Sequence, residues 1–178
     1  MKLKMKKILL TALFTSFIFC TPKKTALAVD STLKNTIADT NCPKDGNCTV
    51  EVLKNKKLVV KTDDLGGTYF ATIDDNQFSV IKYTYQRTVE KGLQDGHYNE
   101  EIIFEIKNNS DAISLTNQNL QETKMLFGRH CYCKGQAGYF KVKTGSLTSK
   151  MVKDKRVIDL NFTITEVPQI IKELHFSI

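Results

Sequence analysis

The sequence is short of the features that usually announce a function. It has three histidines in 178 residues, and no Gly-x-Ser-x-Gly, His-Glu-x-x-His or phosphate-binding glycine loop. Hydrolysis from a nucleophile elbow, zincin chemistry and P-loop nucleotide binding therefore have no motif to rest on. His97 lies in the polar turn Gln94-Asp95-Gly96-His97, where solvation is its ordinary fate. His175 alternates with Leu174 and Phe176 and should face outward. With no acid–base pair held in place, the reading leans against an enzyme, and no cofactor is implied. The chain also lacks an apolar run of about 20 residues, the length needed to span a bilayer as a helix. It shows no internal repeat and no low-complexity tract.

What is present at the front is an address. Lys2, Lys4, Lys6 and Lys7 precede the apolar run Ile8 to Phe19, and Ala26-Leu27-Ala28 supplies a small-x-small cleavage site. Residues 1–28 read as a cleaved secretory signal peptide, which predicts a periplasmic or extracellular protein with no transmembrane span in the mature chain. Cys20 offers lipid anchoring as the lesser alternative, because a lipoprotein signal wants a small residue where Phe19 stands. Six of the 26 basic residues and none of the 19 acidic ones lie in 1–28, so the mature chain holds 20 against 19. The net charge of +7 thus falls to +1, and a nucleic-acid partner loses its electrostatic argument.

The remaining 150 or so residues suit one core. Residues 29–41 form a polar lead or a short fraying helix. Residues 42–178 form a single β-rich domain. Thr49 to Leu53 and Lys57 to Lys61 read as a hairpin turning at Lys54-Asn55-Lys56. Thr68 to Ile73 and Phe78 to Gln86 read as two strands joined by Asp74-Asp75-Asn76. Tyr98 to Lys107 alternates with one intrusion per face, and Arg156 to Glu166 is the cleanest amphipathic strand. Asn117 to Phe127, closed by Gly128, predicts one short helix. The sum is an all-β fold: an antiparallel β-sandwich or small barrel of roughly nine or ten short strands. An outer-membrane barrel is disfavoured by Lys82, Glu101 and Glu105 on candidate outward faces.

The unusual chemistry gathers in Gly128 to Gly138, which holds Arg129, His130, Cys131, Tyr132 and Cys133. After export, four cysteines favour disulfides among Cys42, Cys48, Cys131 and Cys133. In an extended strand Cys131 and Cys133 stand about 6.5–7 Å apart, at the limit for bridging, so a mutual bond needs a sharply bent backbone. The easier expectation pairs each with one of Cys42 and Cys48, closing loops of about 85–90 residues; Cys42–Cys48 bridging its own turn is the alternative. A metal site from Cys42, Cys48, His130, Cys131 and Cys133 competes, though no Cys-x₂-Cys spacing supports it, and a reactive redox pair is weaker still. Arg129, His130, Tyr132 and Tyr139 form the candidate surface for an unknown protein or glycan at the cell envelope. The functional expectation is an exported, disulfide-stapled binding module.

Overall fold

A computed structural model describes the backbone of 32–35 together with residues 41–90, 92–93 and 95–178. The expected signal segment, Cys20 and the rest of the polar lead lie outside the described residues. Ten strands and one short helix follow in order: β1 (Thr32–Asn35), β2 (Gly46–Thr62), β3 (Thr68–Arg87), β4 (Tyr98–Lys107), β5 (Ala112–Thr116), a 3₁₀ helix (Asn117–Thr123), β6 (Leu126–Cys131), β7 (Gly138–Lys141), β8 (Gly145–Val152), β9 (Lys155–Phe162) and β10 (Glu173–Ser177). They make two antiparallel sheets, ordered β1-β2-β3-β4-β6-β7 and β10-β9-β8-β5. The all-β, two-sheet expectation holds. Within the polar lead, β1 is a strand rather than a fraying helix, paired along β2 from Thr32↔Leu53 to Asn35↔Val50.

Alternation builds the main core. Val50 and Val52 of β2, Ile81, Tyr83 and Tyr85 of β3, and Ile102, Phe104 and Ile106 of β4 all point to one side. From the facing sheet come Leu147, Ile158, Leu160, Phe162, Leu174 and Phe176, all buried. Each such side chain removed from water contributes about 1.5–3 kcal/mol before entropy is subtracted. The Arg156-to-Glu166 pattern is realised as β9 only as far as Phe162, with Ile158, Leu160 and Phe162 turned inward.

The other face of the large sheet is where sequence and structure part. The predicted turns at Lys54-Asn55-Lys56 and Asp74-Asp75-Asn76 are not hairpin ends but one shared bend inside two long strands. Pairing runs Lys54↔Ser79 and then Lys56↔Asp74, so four residues of β3 face Asn55 alone, and Asn55 takes a positive φ of 57°. Beyond this bend the tip of the hairpin folds across the sheet. Leu58, Val60 and Phe70 land on Val80, Ile103 and Leu126, a second and smaller core. Thr68 then pairs with Tyr139, so β3, β4, β6 and β7 close into a small four-stranded barrel.

This closure buries two carboxylates that the sequence placed toward solvent. Glu105, 4% exposed, accepts from Leu58 N at 2.6 Å and faces Lys124 Nζ at 2.8 Å. Glu101 accepts from the Tyr139 hydroxyl at 2.7 Å and faces Lys82 Nζ at 3.0 Å. The expected helix is also shorter and tighter than its pattern suggested. It stops at Thr123 because Lys124 turns left-handed (φ 53°) and Gln121 Nε2 donates to both Met125 O and Val142 O. Phe127 and Gly128 accordingly belong to β6. Asn117 does not cap the helix; its Oδ1 accepts from Gly145 N at 3.2 Å.

Candidate functional site at the cysteine end of the large sheet

Both cysteine pairs sit at one end of the six-stranded sheet. The first grows from turn chemistry: Gly46 N donates to Pro43 O at 3.2 Å, and the chain reverses into β2. Only glycine fits there, since a Cβ on Gly46 would lie 2.4 Å from the Tyr85 ring and 2.5 Å from Gln86 O. The reversal brings Cys42 and Cys48 to a Cα separation of 5.9 Å, joined by a disulfide. Cys48 is buried in the main core, and Cys42 packs against it.

The second pair forms where β6 ends. Cys131, opposite Tyr98, is the last residue of the β4–β6 ladder, and the chain bends at Tyr132. That bend is the sharp backbone a mutual bridge requires, and it draws the Cα atoms of Cys131 and Cys133 to 5.3 Å. The crossed pairing expected from the sequence does not form. Cys48 stands in the row Cys48–Tyr85–Glu100–Arg129, so β3 and β4 separate it from β6. With two strands between Cys48 and β6, each pair closes within its own loop instead. The same separation scatters the proposed metal ligands, and no group of three His, Cys, Asp or Glu side chains suited to a metal occurs among the described residues.

A chain of polar contacts links the two loops. Asp45, in the first turn, accepts from the Tyr85 hydroxyl at 2.8 Å and faces Arg87 Nε at 3.3 Å. The Tyr85 hydrogen bond leads the effects that hold the exposed Asp45 carboxyl below its ordinary value. The Arg87 and Arg129 guanidinium carbons lie 4.7 and 5.3 Å from the centre of the Tyr98 ring. Tyr98 donates its hydroxyl to Glu100 at 2.5 Å and accepts from Arg129 Nε at 3.3 Å. Burial first, and the Glu100 hydrogen bond second, push the Tyr98 hydroxyl up to about 12, so it stays protonated. Glu100 is fully buried and also accepts from Ile170 N and Ile171 N, both at 2.7 Å.

Arg129 finishes this chain at the second loop. Its Nη1 faces Cys133 Sγ at 3.2 Å, Gln136 O at 3.1 Å and Gln136 Oε1 at 2.8 Å. The residue is only 9% exposed, so it holds the loop from beneath. His130 leaves on the opposite face of β6, where its ring meets Tyr139 edge-on at 5.1 Å and its Nε2 lies 3.5 Å from Glu101. Gly128 makes that contact possible, because a Cβ there would stand 2.6 Å from the Tyr139 ring and 2.9 Å from His130. Burial alone would push the Glu101 carboxyl up; His130, Tyr139 and Lys82 around it outweigh this and bring it down to about 2. Tyr139, conversely, is driven well above the ordinary phenol value by burial and by Glu101.

Tyr132 alone of the four candidate surface residues projects freely, at 85% exposure. Beside it lies a hollow of about 300 Å³ lined by Asp95, His97, Asn99, His130, Cys131 and Tyr132. Asn99 sits directly opposite His130 in the ladder, and His97 and Tyr132 continue the same face. Sequence reading missed Asp95 and Asn99 and gave His97 no role, since only the β4–β6 register brings them to Tyr132. It also missed Arg87, Tyr98 and Glu100, whose connection depends on the row order of four strands. His175 faces outward as expected, beside Asp159. No family model, curated protein or solved structure matches this chain.

Proposed function

We propose that the chain is an exported binding domain that captures a protein or glycan at the cell envelope through the Cys131–Cys133 loop. The basic head, apolar run and Ala-Leu-Ala site support export, as do four cysteines in two bridged pairs, a chemistry that persists in oxidising compartments. One observation carries the binding reading: the ring of Tyr132 is 85% exposed on a bend held at both ends by cysteine. A large ring left in water gains by covering its face, and a pinned backbone keeps low the ordering cost of doing so. His97, Asn99 and His130 supply donors and acceptors in the adjoining hollow, the mixture of apolar face and polar edge that suits a sugar ring or a peptide.

The four surface candidates then divide by role. Tyr132 and His130 make contact, while Arg129 and Tyr139 hold them in place. Immobilised wild-type protein and Tyr132→Ala should be compared for capture from solubilised envelope. Tyr132→Ala is expected to lower capture at least tenfold while leaving the unfolding midpoint unchanged, since the exposed ring contributes little to stability. Undiminished capture by a folded Tyr132→Ala protein would overturn the assignment.

A further inference from the structure

We infer that the Cys131–Cys133 bridge is a thiol–disulfide exchange site that takes electrons from a dithiol. This goes beyond capture, since it assigns the loop a reaction. Three observations carry it. Cys131 and Cys133 are both half-buried at the end of β6 rather than enclosed in the core. Cys133 Sγ faces the guanidinium of Arg129 at 3.2 Å, and that guanidinium is fixed from behind by the Tyr98 hydroxyl and by Gln136. Finally, the β4–β6 ladder ends at Cys131, so opening the bridge frees a bend and breaks no strand pairing. A bridge that spans a sequence separation of two also removes less chain entropy than one that spans six.

The two sulfurs have unequal roles. A substrate thiolate attacks Cys131 Sγ and forms a mixed disulfide; the Cys131–Cys133 bond breaks and Cys133 leaves as a thiolate. Arg129 stabilises that anion, and a better leaving group departs faster. The substrate's second thiol, having lost its proton to solvent, attacks the substrate sulfur of the mixed disulfide and expels Cys131. The substrate departs as a disulfide, oxidised by two electrons. Cys131 and Cys133 hold those two electrons as thiols and take up the two protons the substrate gave up. A cysteine pair of a polypeptide and a small dithiol share this chemistry, and the exposed Tyr132 favours the polypeptide.

The bridged full-length mature protein should be treated with dithiothreitol, quenched by alkylation and mapped by mass spectrometry. Cys131–Cys133 is expected to open at least tenfold faster than Cys42–Cys48. In the reduced protein, the pH profile of Cys133 alkylation should fall below the free-cysteine value of about 8.5. Arg129→Gln should shift that profile upward, and Arg129→Lys should return part of the shift. A reduced peptide with two cysteines should also donate its electrons, and Tyr132→Ala should slow the peptide without slowing dithiothreitol. Equal opening rates for the two bridges, or a Cys133 profile at the free-cysteine value in the wild-type protein, would overturn the inference. Because the wild-type profile needs no variant, the test survives if Arg129→Gln fails to fold. Envelope capture reads Tyr132 with the bridge intact, so its failure and that of exchange are distinguishable.

Discussion

Cys42–Cys48 and Cys131–Cys133 are the same bond at the same end of one sheet, with β3 and β4 between Cys48 and β6, in opposite settings. Cys48 is 5% exposed and packs with the sandwich core, so the first bridge is roofed by apolar side chains. Cys131 and Cys133 are half-buried on either side of a fully projecting tyrosine, and a guanidinium rather than a hydrocarbon lies against Cys133. Burial decides what each bond does. The first fastens the entry of β2 to the core. The second shapes a half-buried surface loop against Arg129.

The largest expected consequence of this difference is in stability. In the chain-entropy account, a bridge of sequence separation six contributes about 2 kcal/mol and one of separation two about 1.5 kcal/mol. Cys42→Ala with Cys48→Ala also removes buried sulfur from the core, which raises its cost above the entropic figure. Denaturant unfolding should therefore show the first double variant losing clearly more than Cys131→Ala with Cys133→Ala. Equal losses would break the comparison, because they would mean the second bridge is architectural too.

The surroundings of the second bridge also answer to pH. Glu101 sits in the small barrel, beside His130 and just below the second loop, and its carboxyl is held down to about 2. A carboxyl lowered on folding stabilises the protein above its ordinary value near 4.5, and that stability is lost as pH falls from there toward 2. Unfolding followed between pH 5 and pH 2 should show this loss, and Glu101→Gln should flatten the slope. A slope unaltered by Glu101→Gln would place the acid sensitivity elsewhere.

The sandwich half of the fold was legible in the sequence because its signal is local. Val157 to Ile164 alternates, and β9 turns Ile158, Leu160 and Phe162 inward as the alternation requires. The barrel half was not, because its signal lies in register. Nothing in Lys54-Asn55-Lys56 distinguishes a hairpin turn from a bend that folds Leu58 and Phe70 over Ile103. Without that fold-back, Glu101 and Glu105 read as solvent-facing charges; with it, they are buried and paired. The site divides in the same way. Tyr132 and the cysteines were legible from residue type. The pairing of the cysteines and the burial of Arg129 depended on Tyr85 and Glu100 standing between Cys48 and Arg129 in one row.

Everything said of the second loop rests on local pairing, so disulfide mapping is the most direct test. The protein should be blocked with an alkylating agent, digested without reductant, and its cross-linked peptides identified by mass spectrometry. The account predicts one peptide or peptide pair joined through Cys42 and Cys48, and a separate one closed through Cys131 and Cys133. A fragment joining either of Cys42 or Cys48 to either of Cys131 or Cys133 would contradict it.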